Sequence, residues 1–125
     1  MKISETGKLG EEKVCEYLTG QGYRIVQRNF RIKGGEIDII AENGFYIAFV
    51  EVKTRKPDSA VTGFEAVTKR KKSLIIRAAA EYCIRYPNEF QPRFDMVQVI
   101  ADNGRILRID YIENAFDTTG CNFIF

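Results

Sequence analysis

Apolar and polar positions change period several times along this 125-residue chain, and each change marks an element. From about Thr6 to Gly20, Val14, Cys15, Tyr17 and Leu18 share one arc at 100° per residue, which predicts an amphipathic helix. Thr6 or Ser4 is its expected N-cap, and Gly20 with Gly22 its stop. Tyr23 to Phe30 and Glu36 to Ala41 read as strands parted by Gly34-Gly35. Phe45 to Val52 is almost wholly apolar and aromatic, as a strand covered on both faces is. Asn43-Gly44 before it predicts a two-residue type I′ hairpin tip. A second helix is expected from about Phe64 to Tyr86, with Val67, Leu74, Ile75, Ala78 and Tyr82 on its buried stripe and Pro87 after it. Arg93 to Ala101 and Arg105 to Ile112 form another hairpin around Asp102-Asn103-Gly104. The expected fold class is therefore α/β: an antiparallel meander, then a helical crossover that returns the fourth strand parallel to one of the first three.

Several charges break this pattern. Glu51 and Lys53 interrupt the most apolar strand and point to the same side of it. With Asn43 and Gly44 at the tip, Asp38 opposes Phe49 and Glu36 opposes Glu51, so Asp38 lies diagonal to Glu51 on the face that carries Lys53. Glu11 falls inside the apolar arc of the first helix, and Lys71 inside the stripe of the second. Arg93 and Asp95 stand close at a strand start, where a local ion pair accounts for them; Tyr82 and Tyr86 at helical spacing read as core.

Composition narrows the chemistry. At 45% apolar and 29% charged residues the chain reads as one globular domain over 1–117 with a short apolar tail, 118–125. No apolar run approaches bilayer length and the first residues lack a secretory pattern, so a cytoplasmic protein without membrane contact is expected. Cys15, Cys83 and Cys121 have no metal-site spacing and read as reduced thiols. There is no histidine, which excludes Ser-His-Asp and Cys-His sites and HExxH metalloproteases. Net charge is +2, but Lys53 to Arg77 holds eight basic residues against Asp58 and Glu65, a local excess of six that fits either a phosphate-binding patch or a solvated face.

Asp38-x12-Glu51-x-Lys53 has the parts for metal-dependent phosphodiester hydrolysis. Hard cations such as Mg²⁺ or Mn²⁺ take carboxylate oxygens, here Asp38 and Glu51. The cation would polarise the phosphate and acidify a water, while Lys53 orients that water or stabilises developing charge. Glu11 could serve a second cation or act as base. The bland alternative is an Asp–Lys–Glu ion network bracing the hairpin end.

Gly7-x-x-Gly10-Glu11, Gly22-Tyr23, Arg28-Asn29-x-Arg31, Gly35-Glu36-Ile37-Asp38, Phe49-Val50-Glu51-Val52-Lys53-Thr54-Arg55, Val67-Thr68-x-x-Lys71 and Arg93-Phe94-Asp95 follow one another in that order. Together they resemble the YraN-like family, uncharacterised protein family 0102, from about Gly7 to Phe116. That family is similar to restriction-endonuclease-like PD-(D/E)xK nucleases and to archaeal Holliday junction resolvases. The resemblance implies an αβββαβ core with a mixed central sheet flanked by helices, and catalytic positions at Glu11, Asp38, Glu51 and Lys53. Gly-Glu-Ile precedes Asp38 where the superfamily name expects proline. The expected function is a Mg²⁺- or Mn²⁺-dependent endonuclease acting on structured or branched DNA, with a homodimer expected by analogy. The alternative is a nucleic-acid-binding module without turnover. Arg28, Arg31, Arg55, Lys69 and Lys71 are the candidate phosphate contacts.

Overall fold

The computed structural model describes residues 3–57 and 68–118, and its elements follow the predicted order. They are α1 (Ile3–Gly20), β1 (Arg24–Ile32), β2 (Gly35–Glu42), β3 (Tyr46–Arg55), α2 (Lys69–Arg85), β4 (Gln91–Asp102) and β5 (Arg105–Phe116). The strands form one sheet in the order β1-β2-β3-β4-β5. All neighbours are antiparallel except β3 and β4, which the α2 crossover leaves parallel. This is the α/β arrangement of a restriction-endonuclease-like core, with a mixed sheet between two helices.

Each helix covers one face. Val14, Cys15 and Leu18 of α1 pack on Ile39, Ala41, Ala48, Val50, Val97 and Val99. Ile75, Ile76, Ala78, Ala79 and Tyr82 of α2 pack on Phe30, Ile37, Ile40, Ile47, Phe49 and Phe94. β2, β3 and β4 are therefore covered on both sides, which is why their sequences are so apolar. No described helix is long and apolar enough to cross a membrane.

Five local expectations are corrected. α1 runs through Ser4 and Thr6, so neither caps it. Its end is as expected: Gly22 takes φ +91° while Tyr23 N donates to Leu18 O and Gly22 N to Thr19 O, a Schellman closure. α2 begins at Lys69, because extended Thr68 caps it and accepts the Lys71 amide; Phe64 to Val67 lie outside the described residues. Leu74 is only half-buried, Tyr17 is 41% exposed with its ring 5.3 Å from that of Tyr111, and Tyr86 is exposed beside Tyr82. The β2–β3 tip is not a type I′ turn on Asn43-Gly44. Asn43 N donates to Tyr46 O, so the tip is Gly44-Phe45; of the two predicted positions only Gly44 has positive φ. Asn43 instead uses its side-chain oxygen to accept the Phe45 and Tyr46 amides. Pairing thus slips by two, with Ile40 opposite Phe49 rather than Ile47. An even slip keeps every side chain on its face. The tail beyond Thr118, with Cys121, lies outside the described residues.

The expected Arg93–Asp95 pair lies on the α1 side and is almost fully buried. Arg93 Nε and Nη2 donate to both Asp95 oxygens, and Tyr111 OH and Asn114 N donate to the same carboxylate. Arg93 also donates to Tyr23 OH and lies over the Tyr46 ring at 4.8 Å. Burial opposes the guanidinium charge, yet the bonds to Asp95 outweigh it and hold its pKa above the usual value.

Candidate active site

β2 and β3 part company at Asp38. Their pairing runs from Glu42–Ile47 to Ile39–Val50, whereas β3 stays paired with β4 as far as Arg55. At the parting, Asp38 Oδ2 accepts the Val52 amide at 2.7 Å, so a side-chain oxygen stands where a ladder carbonyl would be. The pleat is broken at the same place: Ile37 and Ile40 both face α2, while Ile39 faces α1. Across the sheet, Arg28 pairs with Ile39 and Phe30 with Ile37, leaving Asn29 level with Asp38 at φ +53°. Asparagine tolerates that left-handed conformation better than other residues with a Cβ. Two kinks side by side thus take Asp38 out of the regular alternation.

The corrected register brings Asp38 level with Glu51 rather than diagonal to it. Burial pushes the Asp38 carboxyl up to about 7; the Glu51 charge adds to this, as do Glu11 and Glu36, and the Val52 amide opposes it. Glu51 is 7% exposed, and its Oε1 lies 3.3 Å from both Lys53 Nζ and Lys71 Nζ. Glu36 pairs with Arg31 at 3.4 Å, and Glu11 with Arg28 at 3.8 Å. Among the described residues no cation pairs with Asp38. Burial also raises the Glu11 carboxyl, against the opposing effects of Arg28 and a hydrogen bond with the Asn29 side chain. Gly10 lets α1 lie close on β3, since a Cβ there would meet Thr54 Oγ1 at 2.7 Å.

Of the sequence-predicted residues, Asp38, Glu51, Lys53 and Lys71 come together. Glu11 lies within electrostatic reach of Asp38 but is held at the rim by Arg28. Arg28 is more closely engaged with Glu12 at 2.8 Å, and Arg31 with Glu36, so both are spoken for by carboxylates. Arg55 lines a 610 Å³ cavity with Glu11, Thr54, Lys56 and the β4–β5 turn. Lys69 is exposed on the first turn of α2. Sequence reasoning assigned no role to Asn29, whose signal was an asparagine inside a strand, a position the residue seldom occupies. Glu36 was placed on the site face without a role.

The donors suit a hard divalent cation. Mg²⁺ is commonly held by one or two carboxylates with waters completing its shell. Asp38 and Glu51 supply two carboxylates whose mutual repulsion a cation would relieve. No cluster of three or more histidine, cysteine or acidic side chains able to hold a metal occurs among the described residues, so Glu11 does not complete a three-carboxylate site here.

Comparison with known proteins places this geometry in a family. The profile of the uncharacterised protein family UPF0102 matches residues 10–99, which span all of the fork and its surrounding charges. A UPF0102 protein of Symbiobacterium thermophilum is 45% identical over 111 residues, covering 88% of this chain and 94% of its own. One from Chlorobium phaeobacteroides is 44% identical over 91% of this chain and 95% of its own. One from Legionella pneumophila is 36% identical over 94% and 98%.

Proposed function

Because the chain belongs to the uncharacterised protein family UPF0102, whose name carries no activity, we propose its function from the site: metal-dependent endonucleolytic hydrolysis of DNA phosphodiesters. The observation that carries this reading is the fork at Asp38, where a carboxylate that pairs with no cation among the described residues is held beside Glu51 and Lys53. A structural ion network would neutralise that carboxylate; a site awaiting a cation would not. Asp38 and Glu51 would hold Mg²⁺ or Mn²⁺, which when bound supplies Lewis-acid chemistry at the phosphate. Lys53, half-exposed beside Glu51, would donate to the phosphoryl oxygens as charge builds on them. Glu11, with its proton affinity raised, would accept a proton from the attacking water.

DNA as substrate is supported by the first turn of α2. Lys69, Arg70, Lys71 and Lys72 crowd a helix N-terminus with no acid among them, an end whose dipole already disfavours cations. That placement costs stability and attracts polyanions. The same feature supports the second reading, a binding module without turnover. Cleavage of branched DNA would need two symmetric cuts and so a dimer.

Purified protein incubated with duplex, single-stranded and four-way-junction DNA, in Mg²⁺, Mn²⁺ or EDTA, tests the proposal. Expected is cleavage that requires the metal, disappears in Asp38→Asn and slows strongly in Lys53→Ala. DNA binding that falls steeply with salt but yields no cleavage in either metal would overturn it in favour of the binding module.

A further inference from the structure

Lys71 is shared between two parts of the site. Its Nζ lies 3.3 Å from Glu51 Oε1, and the residue also lines a 350 Å³ cavity with Arg31, Glu36 and the Gly34-Gly35 turn. Both cations of that cavity are turned onto carboxylates, Lys71 onto Glu51 and Arg31 onto Glu36. Both of those carboxylates also raise the proton affinity of Asp38. The cavity therefore pairs its cations with internal anions. Lys71 cannot stay on Glu51 Oε1 while a divalent cation takes that oxygen, because the two positive charges would repel at close range. The Lys71 side chain is 44% exposed, so its ion pair is weak and readily exchanged. The same repulsion acts on Lys53, whose Nζ lies 3.3 Å from the same oxygen, but Lys53 does not line this cavity, so an anion bound there would draw on Lys71 and not on Lys53.

We propose that Arg31 and Lys71 form a subsite for a backbone phosphate of the nucleic acid, and that a phosphate entering it draws Lys71 off Glu51 and frees that carboxylate for the divalent cation. The inference rests on the metal-site reading above and adds an order to it: phosphate and cation each tighten the binding of the other by the same factor. Without nucleic acid, Lys71 competes with the metal for Glu51. With it, the competitor has a better partner. Premature loading of the metal is thereby disfavoured.

The test compares the full-length wild type with Lys71→Gln, and with Lys71→Met, which keeps the apolar stem; melting curves verify that each is folded. Mn²⁺ affinity is measured by calorimetry without nucleic acid. Affinity for a labelled phosphorothioate single strand is measured with and without Mn²⁺, Asp38→Asn serving as control for screening of the strand by the metal. Both Lys71 variants are expected to bind Mn²⁺ about tenfold tighter than wild type, within the usual range for coupled sites. Wild type should bind the strand tighter when Mn²⁺ is present, and the gain should vanish in the Lys71 variants and in Asp38→Asn. Mn²⁺ affinities that are equal or weaker in the variants, or a strand affinity in wild type that ignores the metal, would overturn the gate while leaving the metal site standing. Absence of Mn²⁺ binding in wild type and variants alike would remove the metal reading and this inference with it.

Discussion

Asp95 is 1% exposed and receives four hydrogen bonds, two from Arg93, one from Tyr111 and one from the Asn114 amide. Asp38, in the same sheet and also largely withdrawn from water, receives the Val52 amide and faces Glu51, Glu11 and Glu36. One carboxylate is neutralised on every side, and the other has three acidic neighbours and no cation paired with it among the described residues. The first is how a fold tolerates a buried charge. The second is a cost that packing alone does not explain, and a bound cation would turn it into affinity. The contrast separates the two roles a strand aspartate can have, which residue type and apolar surroundings alone do not separate.

The largest effect expected from this contrast is at Asp95. Asp95→Asn replaces one acceptor oxygen by a donor and leaves the buried Arg93 with the longer, solvent-exposed contact to Glu113 at 3.9 Å as its remaining ion pair among the described residues. Breaking one side of such a pair costs about 3–5 kcal/mol, read as a lower urea midpoint at unchanged m-value. A loss below about 1 kcal/mol, the scale of an exposed pair, would mean that the network is not what stabilises β4 against β5.

Asp38→Asn should act in the opposite direction. The folded pKa of Asp38, about 7, lies above its ordinary 3.8, so the folded chain holds this proton more tightly than the unfolded one. The resulting stability is fully present below the unfolded value and is lost as pH rises through about 7. Three units would be roughly 4 kcal/mol, and repulsion shared with Glu51 together with solvent relaxation brings the expected gain of Asp38→Asn at pH 8 nearer about 1–3 kcal/mol. The asparagine oxygen still accepts the Val52 amide. Stability measured from pH 5 to 8 should therefore fall in wild type and stay flatter in the variant. Mg²⁺ or Mn²⁺ should raise the wild-type Tm more at pH 8 than at pH 5.5, and leave the variant's unmoved. A variant less stable than wild type at pH 8 would make Asp38 a structural residue like Asp95.

How far these roles were legible beforehand is clearest in the two Asn-Gly hairpins. Asn103-Gly104 forms the predicted tip, both residues at positive φ with Asp102 opposite Arg105. Asn43-Gly44 is the same dipeptide and forms another turn. Gly44 N is held by Glu42 Oε2, and Tyr46 lies against Arg93, a residue from the far side of the chain. Local turn chemistry was readable, but an anchor supplied from β4 was not. The sidedness of Glu51 and Lys53 survived because the slip was even. The fork itself was hidden, since it depends on β2 and β3 separating while β4 keeps hold of β3. The start of α2 was misplaced because apolar periodicity extends past Thr68, and only the cap geometry decides the boundary.

The smallest effect, and the sharpest check on the comparison, is expected at Tyr111. Its hydroxyl donates to Asp95 Oδ2, and burial, followed by the Asp95 charge, pushes the phenol pKa well above its usual value. Tyr111→Phe keeps the ring that meets Tyr17 and removes one donor of four. Asp95 keeps both Arg93 bonds and the Asn114 amide, so the carboxylate stays satisfied. The expected cost is about 1 kcal/mol, that of one hydrogen bond whose acceptor retains other partners. Because burial and the Asp95 charge keep the Tyr111 phenol protonated well above this range, the loss should be the same at pH 5.5 and pH 8. Asp38→Asn should give a difference that grows across the same interval. A Tyr111→Phe penalty that grew with pH as the Asp38→Asn difference does would erase the distinction between a settled carboxylate and one awaiting a cation.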